Sequence, residues 1–295
     1  MKSNIINNIV VALKGYAMGA ANVIPGVSGG TIALLTGIFN ELIDALNAIM
    51  TVSTWKLLLK GDFKGFWNAI HGTFLLWLAI GVIVSVFSLA KLMDYVLDHH
   101  PVQTWAFFFG LIIVSSVFML SDIKGWKGTD VLWLVFGVAL GAFICLLSPT
   151  ETTSAMWFIA VCGAIAICTM ILPGISGSFI LVLLGKYEYI MEAVSELNIP
   201  VLLVFAIGCV IGIAAFSKFL HWLIGKYEKQ TLLVLIGFTL GALVKVWPWA
   251  DKAANEAANV LNGQPVEALH IGGAVLWALI SAGSVLAIEL FSRWK

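Results

Sequence analysis

Two hexapeptides, Pro25-Gly26-Val27-Ser28-Gly29-Gly30 and Pro173-Gly174-Ile175-Ser176-Gly177-Ser178, interrupt otherwise apolar stretches of a 295-residue chain. Each joins a proline, which suits the first turn of a helix, to glycines that let the backbone turn and let a ligand come close. Ser28 or Ser176 adds a hydroxyl beside the unpaired amides of such a helix start. Free amides at the positive end of a helix dipole attract anions, so the chemistry this pattern points to is anion binding. Asn22 just before the first motif, Thr31 just after it and Ser178 closing the second complete the candidate polar set.

The same letters admit a second chemistry. "GVSGG" satisfies G-x-S-x-G, but a nucleophile elbow needs a strand-turn-helix setting that an apolar helical context does not supply. It also resembles the G-x-S-G serine of rhomboid-type intramembrane proteases, with His221 or His270 as candidate bases. Both histidines sit near segment ends, where an interfacial histidine is ordinary, and "GISGS" repeats the serine without a second base. A third reading makes Pro and Gly mere marks of helix kinks and close packing. The presence of two copies favours the binding site over either.

The elements that must position these motifs are membrane helices. Of the residues 61% are hydrophobic and 11% charged, the mean hydropathy is +1.02, and runs such as "TFLLWLAIGVIVSVFSLA" are apolar over nearly a bilayer thickness. The chain is expected to be an all-α polytopic membrane protein. Net charge is zero, and nothing in the charge pattern calls for nucleic acid. The four cysteines (Cys145, Cys162, Cys168, Cys209) lie in apolar segments without metal-site or redox spacing, so packing is their expected role and neither a metal nor a cofactor is expected. "MKSNIINNIVVALKGY" lacks the apolar core of a cleavable signal, so the first segment is expected to stay attached.

Apolar segments fall near 5–24, 27–45, 72–96, 103–120, 131–148, 155–172, 176–194, 200–222, 231–247 and 269–290, five in each half. The halves also repeat in sequence. "PGVSGGTIALLTGIF" aligns with "PGISGSFILVLLGKY", setting Gly37 on Gly185; "AIGVIVSVFSLAKL" aligns with "AIGCVIGIAAFSKF", setting Lys91 on Lys218, and the match runs on to Gln103-Thr104 on Gln230-Thr231. We therefore expect a first repeat over 1–148 (hairpin 5–45, amphipathic connector 54–70, spans 72–96, 103–120 and 131–148). The second covers 149–295 (hairpin 155–194, spans 200–222, 231–247 and 269–290).

Lysine and arginine mark cytoplasmic loops. Lys2, then Lys56, Lys60 and Lys64, then Lys124 and Lys127, then Lys226 and Lys229, and finally Arg293 and Lys295 assign five positions to that side, both termini included. Three single crossings per half invert the second copy, and each hairpin must begin and end on one face. Between Ser28 and Glu41 lie 12 residues, about 18 Å of helix against a core of roughly 30 Å. The return arm is thus expected to be re-entrant, and two such tips entering from opposite faces would form one central site.

Lys14, Glu41, Lys91 and Lys218 are the charged candidates for a headgroup or coupling role. All four lie close enough to segment ends for ordinary interfacial anchoring. In "TWKLLLKGDFKGFWNAI" Lys56, Lys60 and Lys64 recur every four residues beside Trp55, Leu59, Phe63, Phe66 and Trp67. That pattern suits a helix lying on an anionic leaflet, although Gly61 and Gly65 weaken it as a helix. The twelve tryptophans, several at segment ends, fit interfacial belts.

"GYAMGAANVIPGVSGGTIALLTGIFNELI" together with "LPGISGSFILVLLGKYEYI" resembles the DUF368 family of bacterial membrane proteins, associated with polyprenyl-phosphate translocation of the PopT type. The resemblance covers essentially the whole chain. It implies a plasma-membrane transporter, not an enzyme, that returns undecaprenyl phosphate from the outer to the inner leaflet for envelope glycan synthesis. It also implies a headgroup role for Pro25, Gly26, Ser28, Gly29, Gly30, Pro173, Gly174, Ser176, Gly177 and Ser178. Proton or sodium coupling would account for net recycling, though no ion site stands out. Members often carry an acidic residue where this chain has Asn22, and an arginine soon after the aromatic at 39, where this chain has Asn40-Glu41. The alternatives to a lipid-carrier transporter are a transporter of a small soluble anion and the serine hydrolase.

Overall fold

The computed structural model describes residues 2–23, 28–150, 152–249 and 271–293, and every element among them is a helix. The first half contains α1 (Lys2–Val23), α2 (Gly29–Leu35), α3 (Phe39–Ile49), α4 (Val52–Leu59), α5 (Phe63–Ala69), α6 (Gly72–His99), α7 (Pro101–Asp122) and α8 (Gly128–Leu146). The second contains α9 (Met156–Ile171), α10 (Gly177–Leu183), α11 (Tyr187–Ser195), α12 (Ile199–Gly241), the single turn α13 (Leu243–Val246) and α14 (Ile271–Arg293).

Among the described residues four stretches are long and apolar enough to cross a bilayer: 72–89 in α6, α7, α8, and 199–246; a fifth results if α3 and α4 count as one bent span. Only 17–33% of each of the four is buried inside the protein. Side chains such as Phe87, Leu132 and Leu279 point outward, an apolar surface far larger than a monomer in water sustains. The protein is a multi-pass membrane protein.

Small residues pack the helices in pairs. Gly15 of α1 rests on Leu78 of α6 and Gly19 on Val82, while an added Cβ on Gly81 would lie 2.0 Å from the Ala12 carbonyl oxygen. The register advances together, so α1 and α6 run in the same direction. Three more pairs obey the same rule: Gly208 on Ala160 and Gly212 on Ala164 join α12 to α9, and Gly237 on Leu134 and Gly241 on Val138 join the end of α12 to α8. Gly273 beside Gln103 and Gly110 on Ala278 join α7 to α14, again with the register advancing together. Such contacts replace the hydrophobic drive that helices lack in lipid with close backbone packing. Cys168 and Cys209 lie at the α9–α12 seam, their thiols directed at the carbonyls of Gly212 and Gly163, so these two cysteines are packing residues.

Several boundaries differ from expectation. The arms at 27–45 and 176–194 each split into a seven-residue helix and a second short helix. The breaks fall at Gly37 and Gly185, whose φ values of 72° and 61° only glycine adopts readily. At each break the amide three residues beyond the helix turns back, Ile38 to Ala33 and Lys186 to Leu181, the bond that closes a Schellman motif. Segments 200–222 and 231–247 are joined through one long helix with a corner at Tyr227. The connector at 54–70 is two helices, because Gly61 (φ 78°) turns the chain and Asp62 caps α5 by accepting from the Gly65 amide at 2.8 Å.

Local geometry recurs at positions the sequence alignment equates. His100, between α6 and α7, has φ −138°, ψ 49°, and Tyr227 has φ −136°, ψ 47°. Thr104 donates to the carbonyls of Val96 and His100, and Thr231 to those of Leu223 and Tyr227.

Gly81→Ala is expected to destabilise the protein by about 1–3 kcal/mol, the usual cost of overpacking, whereas Gly225→Ala, with nothing within 4 Å, is expected to be neutral or slightly stabilising. Thermal unfolding of the two variants in detergent measures the difference.

Candidate functional site

The two motifs meet. Ser28 is the N-cap of α2: its side chain accepts from the Thr31 amide at 3.3 Å. The same hydroxyl donates to the Leu172 carbonyl at 3.1 Å, immediately before the second motif. Thr31 Oγ1 accepts from the Gly174 amide at 2.7 Å, and Gly30 packs so closely that an added Cβ would lie 2.5 Å from the Ile171 carbonyl oxygen. Ser28 is 1% exposed and Thr31 0%. Asn22 reaches forward from α1, its Oδ1 accepting from the Gly29 amide at 2.7 Å, so two amides at the start of α2 already have side-chain partners. Pro25 and Gly26 lie outside the described residues.

The second motif is arranged differently. Ser176 caps α10, accepting from the Phe179 amide at 3.2 Å, and its hydroxyl lies 3.1 Å from that of Ser178. Pro173, Gly174 and Gly177 are buried, Ser176 is half-buried and Ser178 is exposed. Gly174 (φ 97°) fits against Thr239 and Ala242, where α12 gives way to α13. From α13, Lys245 extends its ammonium over the Phe179 ring, 5.3 Å from the centroid. Among the described residues the accessible polar groups at the junction are Asn22 and the Ser176–Ser178 hydroxyl pair, and the exposed Lys245 ammonium lies over Phe179, the residue after Ser178. Nothing in the motif spacing pointed to Lys245; its signal was only that of a lone lysine among "GALVKVWPW".

The charged candidates are placed elsewhere. Lys14 donates to the Thr36 carbonyl at 2.7 Å, closing the C-terminal end of α2, where a cation also complements the helix dipole. At the matching end of α10, Thr152 donates to the Leu184 carbonyl, and the buried Lys186 binds Thr152 and Ser154. Glu41 pairs with His71 at 3.4 Å, and Asp44 with His221 at 2.8 Å. Asn40 donates to Glu228 at 3.5 Å. Lys229 forms an ion pair with Asp130 and donates to the Gly125 carbonyl at 2.6 Å, a link that sequence reading missed. Together these contacts gather α3, the start of α6, the α7–α8 loop and the α12 corner at one end of the protein. Lys218 is exposed on α12; Lys91 lies on α6, its side chain outside the described residues, as are His270 and the loop around it. Among the described residues no group of three or more His, Cys, Asp or Glu side chains is placed to hold a metal.

The comparisons with known proteins agree with the sequence resemblance. A curated polyprenyl-phosphate transporter of Vibrio cholerae serotype O1 is 44% identical over 253 residues, covering 85% of this chain and 81% of the relative. A polyprenyl-phosphate transporter of Staphylococcus aureus is 33% identical over 255 residues, covering 80% and 85%. No solved structure matches. Residues 18–262, which include both motifs and Lys245, match the VCA0040-like family, described as undecaprenyl phosphate translocase-like, and the chain belongs to that family.

Proposed function

We propose that the protein moves undecaprenyl phosphate from the outer to the inner leaflet of the bacterial plasma membrane, where the carrier re-enters envelope glycan synthesis. The headgroup binds where the two motifs meet. The observation that carries this reading is the junction itself: two separately encoded helix starts touching through Thr31 and Gly174, with the Ser176–Ser178 hydroxyl pair and the Lys245 ammonium at its accessible side. Hydroxyls and a cation suit a phosphate monoester, while the polyprenyl tail stays in lipid and the protein shields only the headgroup.

The helix directions support alternating access between two inverted halves. We take the chain to reverse at His100, across 123–127 and at Tyr227. The parallel pairings then set α1, α6, α8 and 228–241 in one direction and α7, α9, 199–226 and α14 in the other. Each helix of the second half thus opposes its counterpart, the arrangement of inverted-repeat transporters with a central site. The end that gathers residues 40–44, 71, 122–130 and 221–229 also carries Lys124, Lys127 and Lys226, which supports a cytoplasmic placement. Both hairpin tips then lie inside the membrane, and the termini are cytoplasmic. Coupling to a proton or sodium gradient would drive net recycling; collapsing both gradients in sealed vesicles is expected to slow transport.

The described state is closed at the first motif, since Ser28 and Thr31 spend their hydroxyls on the second. Among the described residues neither motif serine is hydrogen-bonded to a histidine: the Ser28 hydroxyl points at the Leu172 carbonyl, that of Ser176 lies against Ser178 and the Phe179 amide, and His221 meets Asp44 instead.

The deciding experiment follows leaflet exchange of a labelled polyprenyl phosphate in proteoliposomes. Ser176→Ala/Ser178→Ala and Lys245→Gln are each expected to slow exchange about 10- to 100-fold, the worth of hydrogen bonds to a charged group, with Lys245→Arg retaining most of the rate. Wild-type rates in all three variants would place the headgroup elsewhere. Inhibition by soluble phosphate with no requirement for a tail would favour a soluble-anion transporter, and fluorophosphonate labelling of Ser28 or Ser176 would favour the hydrolase.

Thr31→Val is expected to leave the Gly174 amide unpaired in a buried place, lowering stability by about 1–3 kcal/mol. Thr31→Ser keeps the acceptor and is expected to stay within about 1 kcal/mol of wild type. Thermal unfolding of the two proteins separates the outcomes.

A further inference from the structure

Between α3 and α6 the chain forms a wedge that the transport reading does not use. α4 is bent 63° away from α3, and Gly61 then turns the chain into α5. The wedge is fixed internally and at both ends. The Trp55 and Phe66 rings pack at a tilt of 54° with centroids 5.3 Å apart, Trp55 Nε1 donates to the Ile49 carbonyl at 2.7 Å, and Trp67 Nε1 donates to Thr73 Oγ1 at 3.0 Å. Its outer ridge is apolar: Leu59 is 86% exposed and Phe63 69%, with Val52 and Trp67 continuing the line. Lys56, Lys60 and Lys64 are all exposed; Lys60 and Lys64 each follow a ridge residue, Leu59 and Phe63, and Lys56 lies one helical turn before Lys60. A shallow hollow of about 400 Å³ on the α5 side, lined by Phe63, Lys64, Trp67 and Asn68, combines an ammonium and an amide with two aromatic faces.

At eight and seven residues, the two helices are about 12 and 10 Å long, too short to cross a core of roughly 30 Å. Neither helix is a span by itself, and the 63° bend keeps α4 from continuing α3 straight across. An apolar ridge flanked by cations matches a helix lying in the headgroup layer. The Glu41–His71 pair brings the flanks of the wedge to the lysine-rich end of the protein. Three lysines against the apolar line fit an anionic surface by charge, and neither an uncharged leaflet nor a basic partner offers that match.

We propose that the α4–α5 wedge is an anchor for anionic phospholipid, with Leu59 and Phe63 below the phosphates and Lys56, Lys60 and Lys64 bound to them. The assignment is independent of where the transported headgroup binds. The test is hydrogen–deuterium exchange of the amides of residues 52–69 in the full-length protein. It compares nanodiscs of phosphatidylcholine alone with nanodiscs containing one-third phosphatidylglycerol, for wild type and for Lys56→Gln/Lys60→Gln/Lys64→Gln. Wild-type exchange is expected to be at least tenfold slower with phosphatidylglycerol, and the triple variant is expected to lose that difference while α7 and α8 keep their protection. Equal rates in the two lipids, whether fast or slow, would overturn the proposal. So would a triple variant that keeps the slowing, because the cations responsible would then lie elsewhere.

Discussion

The fold rests on backbones held in contact by small residues. In lipid, burying leucine against leucine gains little, and helices associate where glycine or alanine lets carbonyls of one helix approach the Cα atoms of the next. Four seams of this kind hold eight helical segments as pairs, and each joins helices running in the same direction. That direction has a topological cost. Two parallel neighbours close in sequence can exist only if the chain between them travels back, so the α1–α6 seam requires a return through α2 to α5. The α9–α12 seam requires one through α10 and α11. The broken hairpins are thus the return paths that parallel packing demands, and α2 and α10 are the parts of those paths that meet at the buried junction.

A chain that turns back within an apolar slab must satisfy the amides and carbonyls freed at the turn. The first motif does so with side chains and with the second motif: Asn22 takes the Gly29 amide, Ser28 takes that of Thr31, and Thr31 takes that of Gly174. The far ends of the short helices are closed by Lys14 and by Thr152. This gives the departure at position 22 a physical meaning. An asparagine oxygen accepts the Gly29 amide as a carboxylate would, so the capping function survives the loss of charge, and any coupling role must fall to another group. The same bookkeeping explains the difference between the tips. The first is consumed in holding the junction, and the second keeps its hydroxyl pair at the accessible side.

Much of this was legible in the sequence, for reasons that can be named. The hexapeptides are legible because proline, glycine and serine each have one physical reason to stand at a helix start, and the duplicate confirmed the pattern. The equivalence of His100 and Tyr227 followed from aligning Gln103-Thr104 with Gln230-Thr231, because a threonine bonding back over a corner recurs with its corner. Glycine pairs at a four-residue spacing, as in Gly15 and Gly19, Gly137 and Gly141, or Gly208 and Gly212, line the seams but were not read from the sequence, and spacing within one helix says nothing about which helix it meets. The breaks at Gly37 and Gly185 were obscured by the apolar residues on both sides, where hydropathy continues although the helix does not. Lys245 was invisible for a third reason: a lone lysine beside aromatic residues reads as an interfacial anchor until the fold brings α13 to α10.

The placement of the charged residues follows one logic. Most ionisable side chains with a described partner lie on the end that gathers α3, the α7–α8 loop and the α12 corner, where His71, His221 and Lys229 answer Glu41, Asp44 and Asp130. The two histidine pairs are exposed and add little stability singly, whereas Asp130 is buried. Their value lies in position: both histidines contact the return arm α3, one from the start of α6 and the other from α12. The return arm of the first hairpin is therefore tied to helices from both halves at the end opposite its buried tip. A movement that separated the two motifs would have to pivot about these ties or break them. The tip needs two hydrogen bonds broken, Ser28 to Leu172 and Gly174 to Thr31, together with the packing of Gly30 on Ile171, and the ties at the other end are partly solvated. The junction between the motifs is accordingly the stiffer contact, and if the headgroup binds there as proposed, its oxygens would compensate for the hydrogen bonds that opening the junction breaks.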